Sequence, residues 1–194
     1  SSTEFRIQMF AIDEAGTTCA LFIQDMKPFF YIQVGQAWTV RELRLFEKDL
    51  RKKMGGTSSF LLRVEIIDHN KLYEFTGQDT FRFVKVTFKN MAGFNKVRGL
   101  WYESSRSEDG EYSRTYKPYI FQSTILTLYE SKIPPLLRYF HIQSISPSGW
   151  IEVDDNLARQ PNVLTTTCDY EFICSMDHIK PLPSKEDPVP YKIA

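Results

Sequence analysis

The sequence predicts an α+β chain: a split βαββαβ subdomain of the RNA-recognition, ferredoxin-like kind, joined to a small antiparallel β subdomain built from the chain termini. Two observations predict the first part. From Pro28 to Trp101 the residue patterns run strand, helix, strand, strand, helix, and one further strand near Tyr119 to Leu126 would complete the set. A third observation predicts the second part: short strand-like segments at 5–12, 18–23, 150–153 and 168–175 flank that block on both sides. The expected division is 1–27 with 143–180 as the β-rich subdomain, 28–142 as the βαββα(β) subdomain, and 181–194 as a Pro-rich connector toward a further domain.

Phe5–Ile12 and Thr18–Ile23 read as strands joined by Asp13-Glu14-Ala15-Gly16, which has hairpin-turn chemistry. Pro28 opens Phe29-Phe30-Tyr31-Ile32-Gln33-Val34, rich in aromatic and β-branched residues. Thr39 and Glu42 have capping-box spacing, and Leu43, Phe46, Leu50 and Met54 follow at helical period. Gly55-Gly56 is expected to end that helix in a left-handed cap. Phe60–Ile67 is a nearly continuous apolar strand, and Leu72–Phe75 a short extended piece closed by Gly77. In Phe81–Phe88, Val84, Val86 and Phe88 share one face, with Phe81, Phe83 and Lys85 on the other. Asn90 can cap a second helix running to about Trp101.

Residues 102–117 are polar and turn-rich and read as a mobile surface loop. Pro134-Pro135 suits the first turn of a helix over Leu136–Ile142. Ser148-Gly149 turns into a strand at Trp150–Val153, and 168–175 alternates as a strand expected to pair with it. Residues 154–162 read as another loop.

The chain has 194 residues, 42% of them hydrophobic, enough for a buried core. Its 24 basic and 24 acidic residues balance, so any contact with nucleic acid is expected to be local and weak in isolation. Cys19, Cys168 and Cys174 make an odd set without a CxxC pair, which argues against a disulfide framework or a zinc site. No apolar run approaches the roughly 18 residues of a membrane span, and the N-terminus does not read as a signal peptide, so an intracellular, membrane-free protein is expected.

His69, His141 and His178 are far apart in sequence, without ligand-spaced partners. There is no Gly-rich phosphate loop, and Glu108-Asp109 and Asp154-Asp155 sit in polar stretches rather than on rigid strands around a metal. By residue chemistry the chain is expected to carry no catalytic, cofactor-binding or metal site. Two features address nucleic acid. The helix from Thr39 carries Arg41, Arg44, Lys48, Arg51 and Lys52 on a largely outward face, interleaved with Glu42, Glu47 and Asp49, and Glu47–Arg51 and Asp49–Lys53 are at pairing distance along the helix. That face is either solvated or a phosphate contact. The second feature is aromatic: of Phe29, Phe30, Tyr31, Tyr73, Phe75, Phe81 and Phe83, about half must be core, and Phe29, Tyr73 and Phe75 are the candidates for base stacking.

Several segments resemble family B DNA polymerases. Tyr129-Glu130-Ser131-Lys132-Ile133-Pro134-Pro135-Leu136-Leu137-Arg138-Tyr139 is similar to the segment preceding the exonuclease of that family, with Glu130, Ile133, Pro134, Arg138 and Tyr139 matching. Pro135 stands where the family has an aromatic residue, and Gln143 where it has an aspartate. Trp150-Ile151-Glu152 follows at the family's spacing. Lys27-Pro28-Phe29-Phe30-Tyr31-Ile32 resembles the family's early aromatic strand, and Cys168-Asp169-Tyr170-Glu171-Phe172 a strand of the DNA polymerase delta branch. The resemblance runs from about residue 5 to 194 and points to a large DNA virus, with 102–117 and 154–162 as insertions.

The resemblance implies the non-catalytic N-terminal part of a replicative DNA-directed DNA polymerase, ending one strand short of the first exonuclease carboxylate. It implies packing on the exonuclease and palm domains, guidance of single-stranded template DNA, contact with replication accessory proteins, and Mg2+ in the full-length enzyme. It also implies a nuclear site, or a host-cell nuclear or cytoplasmic replication site. Pro28, Tyr129, Glu130, Ile133, Pro134, Arg138, Tyr139, Trp150 and Glu152 would then be structural motif positions. Archaeal relatives read template uracil in a pocket here, at the positions of Pro28, Phe29, Ile133, Pro134, Pro135 and Tyr139. The residues alone allow a plainer role, in which Pro134-Pro135 starts a helix and Arg138 ties it to a neighbour. An independent single-strand-binding module of RNA-recognition topology is the alternative, and a protein-interaction scaffold a third.

Overall fold

The computed structural model describes residues 4–70, 80–106, 111–154 and 160–182. In chain order the strands are β1 (Ile7–Ile12), β2 (Thr18–Ile23), β3 (Phe29–Gln33), β4 (Leu61–Asn70), β5 (Thr80–Phe88), β6 (Tyr102–Arg106), β7 (Tyr112–Tyr116), β8 (Tyr119–Phe121), β9 (Thr124–Tyr129), β10 (Ile151–Val153), β11 (Tyr170–Cys174) and β12 (Ile179–Pro181). The α-helices are α1 (Val40–Met54), α2 (Met91–Arg98) and α3 (Pro135–Gln143). The fold is mixed α+β with several small sheets. It forms two compact units, one of Ser1–Glu4 and Pro28–Lys132, the other of Phe5–Lys27 and Ile133–Ala194. Residues 133–142, read from sequence as the tail of the first subdomain, belong to the second unit.

The first unit is built on a five-stranded sheet in the order β4-β5-β3-β9-β8. Its pairings are antiparallel throughout, with Phe30 opposite Val86 and Ile32 opposite Val84 and Leu128. Strand alternation gives one face to Phe30, Ile32, Val84, Val86, Phe88 and Leu126, all fully buried. The stripe Phe46, Leu50 and Met54 of α1 and Phe94 and Val97 of α2 join the same core, which Trp101 completes. Burying each of these large side chains contributes roughly 1.5–3 kcal/mol, so this face dominates the unit's stability.

Thr39 starts α1 as its pattern predicts. Its side chain accepts from the Arg41 amide at 3.2 Å, and Glu42 accepts from the Thr39 amide at 2.9 Å and from the Thr39 hydroxyl. At the other end Gly55 takes φ +58°, and the chain continues as a 3-10 segment, Gly55–Phe60, that the sequence pattern does not signal. Asn90 caps α2 by accepting from Gly93 N at 3.0 Å.

Two expectations change in this unit. The single strand expected at 119–126 is a hairpin, β8–β9, turning at Gln122 (φ +45°) and Ser123 (φ +63°). Two successive left-handed residues suit a tight hairpin turn, but without Gly or Asn the sequence does not announce it. The loop expected at 102–117 contains a second hairpin, β6–β7, whose strands are polar on both faces and so show no apolar alternation.

In the second unit, β2 lies between β1 and β11. Asp13 closes the β1–β2 turn by accepting from Ala15 N at 2.9 Å and Thr17 N at 2.7 Å, and Gly16 supplies φ +88°. The pairing expected between 150–153 and 168–175 does not form. β11 instead runs parallel to β2, with Phe172 beside Leu21, while β10 pairs antiparallel with β12. The subdomain is therefore not wholly antiparallel. Residues 179–181, read partly as connector, are a strand.

Glu171 is buried on β11, 1% exposed, and accepts from the Thr165 amide at 2.7 Å and from the Thr166 amide. Burial pushes its carboxyl pKa up, but these bonds outweigh burial and hold it below the usual range. Hydrogen bonds from Thr17 lower Asp13, and those from Thr18 lower Asp169. Carboxyls whose folded pKa lies below the unfolded value stabilise above roughly pH 4–4.5, and that contribution is lost as pH falls through the folded values. Thermal melts followed by circular dichroism should therefore show the midpoint dropping between about pH 5 and pH 3. Glu171→Gln should lower the midpoint at neutral pH and flatten this acid slope. An unchanged slope would remove Glu171 from the account.

Candidate nucleic-acid interface

Helix α1 presents Arg41, Arg44 and Lys48 to solvent. Their spacing of three and four residues places them on one face. None of the three has a hydrogen bond or salt bridge from its side chain to a described residue. Their neighbours on α1 are held. Arg51 donates to Glu47 at 2.7 Å and to the Ser58 carbonyl at 2.9 Å. Lys53 bonds the Tyr119 hydroxyl at 2.6 Å and lies 3.3 Å from Asp49. The Tyr119 hydroxyl donates to Asp49, and burial with that bond pushes its pKa well above the ordinary phenol value. Arg51 and Lys53 are thus held within the unit, while Arg41, Arg44, Lys48 and Lys52 are exposed.

The aromatic candidates divide differently. Phe30 is fully buried in the core. Phe29 is 8% exposed, with the Lys85 ammonium 4.2 Å from its ring centre and Tyr31 edge-on at 5.5 Å. Phe83 is 2% exposed and packs on Tyr129 at 5.2 Å. Phe29 therefore does not offer an open stacking face, which corrects the expectation for it. Period-two alternation assigns Phe29, Tyr31 and Phe83 to the face away from the helices, but it does not reveal that aromatic packing fills that face. Tyr73 and Phe75 lie outside the described residues.

The motif positions occupy the end of β9, helix α3 and the segment leading into β10. Glu130 leaves β9 at φ +54°. Pro134 precedes α3 and Pro135 takes its first position, where a missing amide hydrogen costs nothing. Ile133 is half-buried. Arg138 is 6% exposed and Tyr139 is fully buried. Burial, with Cys174 and Asp25 nearby, pushes the Tyr139 phenol up to about 12. In the first unit, Pro28 is buried and its carbonyl accepts from Phe88 N at 2.9 Å. Trp150 is half-buried, and its carbonyl accepts from Leu182 N at 2.9 Å; Glu152 is exposed. Tyr129 thus ends a strand, Glu130 sits in a turn, and Pro134 and Pro135 lie at a helix start.

Among the described residues, no group of three or more His, Cys, Asp or Glu side chains could hold a metal ion. No described helix is long and apolar enough to cross a membrane.

Residues 126–194 match the family model described as DNA polymerase family B, exonuclease domain. The match begins well ahead of residue 181, where the Pro-rich approach to that domain is expected, and it takes in the motifs at 129–139 and 150–152. The chain is 36% identical over 193 residues to a DNA polymerase of Phaeocystis pouchetii virus, covering 98% of this chain and 18% of that protein. It is 25% identical over 202 residues to a DNA polymerase of Acanthamoeba polyphaga mimivirus, covering 98% of this chain and 11% of that protein. It is 20% identical over 196 residues to the DNA polymerase delta catalytic subunit of Dictyostelium discoideum, covering 96% and 17%. Among solved structures, the family B DNA polymerase of Pyrobaculum calidifontis superposes on 89% of this chain and 18% of its own, with a TM-score of 0.55 and 18% identity. That likeness concerns the fold alone. The chain spans 11 to 18% of the lengths of these relatives.

Proposed function

Because the chain is part of a family B DNA polymerase, we propose that it is the non-catalytic N-terminal portion of a replicative DNA-directed DNA polymerase that helps guide single-stranded template. The alignment over 98% of the chain to a viral DNA polymerase at 36% identity carries this reading. On it, the whole enzyme works with Mg2+ held by other domains, and this portion packs on exonuclease and palm. The enzyme acts at a nuclear or cytoplasmic replication site, in contact with accessory proteins. The exposed cations Arg41, Arg44 and Lys48 meet template phosphates, and Tyr73 and Phe75 remain candidates for base contact. The first unit is a split βαββαβ sandwich of the RNA-recognition kind. In its favour, β3, β4, β5 and β9, with α1 after β3 and α2 after β5, assemble in the order β4-β5-β3-β9.

Three phosphate contacts predict salt-dependent binding to single strands, with a log–log slope of about −2. Titrating a labelled oligonucleotide against the 194-residue chain across salt concentrations tests it. Lys48→Gln should reduce the slope by roughly 0.7 and weaken binding equally for all base sequences. An unchanged slope for Arg41→Gln/Arg44→Gln/Lys48→Gln would dismiss the α1 contact. Tight binding by the chain alone would instead favour an independent single-strand-binding module.

A further inference from the structure

We infer that the ribbon β6–β7 carries a second single-strand nucleic-acid contact, formed by Tyr112, Arg106 and Arg114 on one of its faces. The register pairs Tyr102 with Tyr116, Ser104 with Arg114, and Arg106 with Tyr112. Residues two apart along a strand share a face. One face therefore holds three tyrosines, two arginines and Ser104, with no carboxylate. The other holds Glu103, Ser105, Ser113 and Thr115. There Ser105 and Ser113 share a hydrogen bond at 2.6 Å and Lys117 meets Glu103 at 3.5 Å.

The tyrosine–arginine face is graded from base to tip. At the base, Tyr102 and Tyr116 pack edge-on at 5.7 Å, a cross-strand pair that holds the ribbon together. Arg114 lies 5.0 Å from the Tyr102 ring centre, and a Cβ on Gly99 would stand only 3.2 Å from its Nη2, so the glycine leaves room for this guanidinium. Toward the tip, Tyr112 is 80% exposed, and the Arg106 guanidinium lies 5.9 Å from its ring centre. Packing accounts for the base pair but not for Tyr112, which buries little of its ring.

An exposed phenol ring with one guanidinium beside it, and a second farther along the same face, suits a base with its adjoining phosphates. A duplex keeps its base faces stacked, so the matching ligand is a single strand. With no net charge on the chain as a whole, stacking on Tyr112 rather than overall attraction dominates the recognition. This separates the ribbon from α1, whose contribution is ionic.

The test is fluorescence anisotropy of labelled oligothymidylate with the 194-residue chain. Tyr112→Ala should weaken binding at least about fivefold with little change in salt slope, while Tyr112→Phe binds as the parent does. Arg106→Gln/Arg114→Gln should also weaken it. Tyr112→Trp should show quenched tryptophan emission on adding the oligonucleotide but not on adding duplex. Tyr112→Ala binding like the parent, an unquenched Tyr112→Trp, or a parent chain that does not bind would each overturn the inference. Loss in the ribbon variants with none in the Arg41/Arg44/Lys48 variant would sustain the ribbon and remove the α1 contact, and the reverse pattern would do the opposite.

Discussion

Trp101→Ala is expected to destabilise the first unit by about 3–5 kcal/mol. The side chain is fully buried, stacks on Tyr119 with ring centres 4.7 Å apart, and meets Phe30 edge-on at 6.5 Å. Its indole N–H donates to the Leu126 carbonyl at 2.7 Å. Alanine leaves a cavity in the aromatic core and an unsatisfied carbonyl on β9. Trp101→Phe refills much of the volume but not the hydrogen bond, so its cost should be smaller, near that of one buried bond left unmade, about 1–3 kcal/mol. Urea denaturation monitored by circular dichroism checks both. Equal losses for Ala and Phe would mean that the hydrogen bond, not the packing, dominates.

Gly93→Val is expected to cost about 3 kcal/mol, although glycine is a poor residue inside a helix. Replacing it would ordinarily gain a few tenths of a kcal/mol in helix propensity. Here a Cβ would stand 2.7 Å from Phe60 Cβ and 3.4 Å from the Phe60 carbonyl oxygen. Both atoms are at or next to backbone and cannot swing aside, so the clash outweighs the propensity. The neutral outcome, an unchanged denaturation midpoint, would show that the 3-10 segment Gly55–Phe60 shifts freely away from α2.

Much of this architecture can be read in the sequence where local signals coincide. Helix α1 announces itself through Thr39, Glu42 and the stripe ending at Met54, and its pairs Glu47–Arg51 and Asp49–Lys53 form as spaced. The outward Arg41, Arg44 and Lys48 follow from the same period. What escapes is non-local or lacks a characteristic residue. Alternation in 168–175 identifies a strand but not its partner, so its parallel pairing with β2 could not be read. Gln122 and Ser123 turn a hairpin without glycine, and the ribbon strands have no apolar face to give them away. The burial of Glu171 depends on amides at 165 and 166 that fold back over it. For Phe29 the pattern gives the correct face, but what fills that face is a tertiary fact.

The central claim is that this part of the polymerase meets single-stranded template. Its most direct test is crosslinking in the full-length enzyme. A photoreactive group attached through Lys48→Cys, on the exposed face of α1, should label the unpaired template strand of a primed substrate. Increasing salt should reduce the labelling. Labelling of the duplex alone, or of no DNA while the enzyme still extends the primer, would contradict the claim.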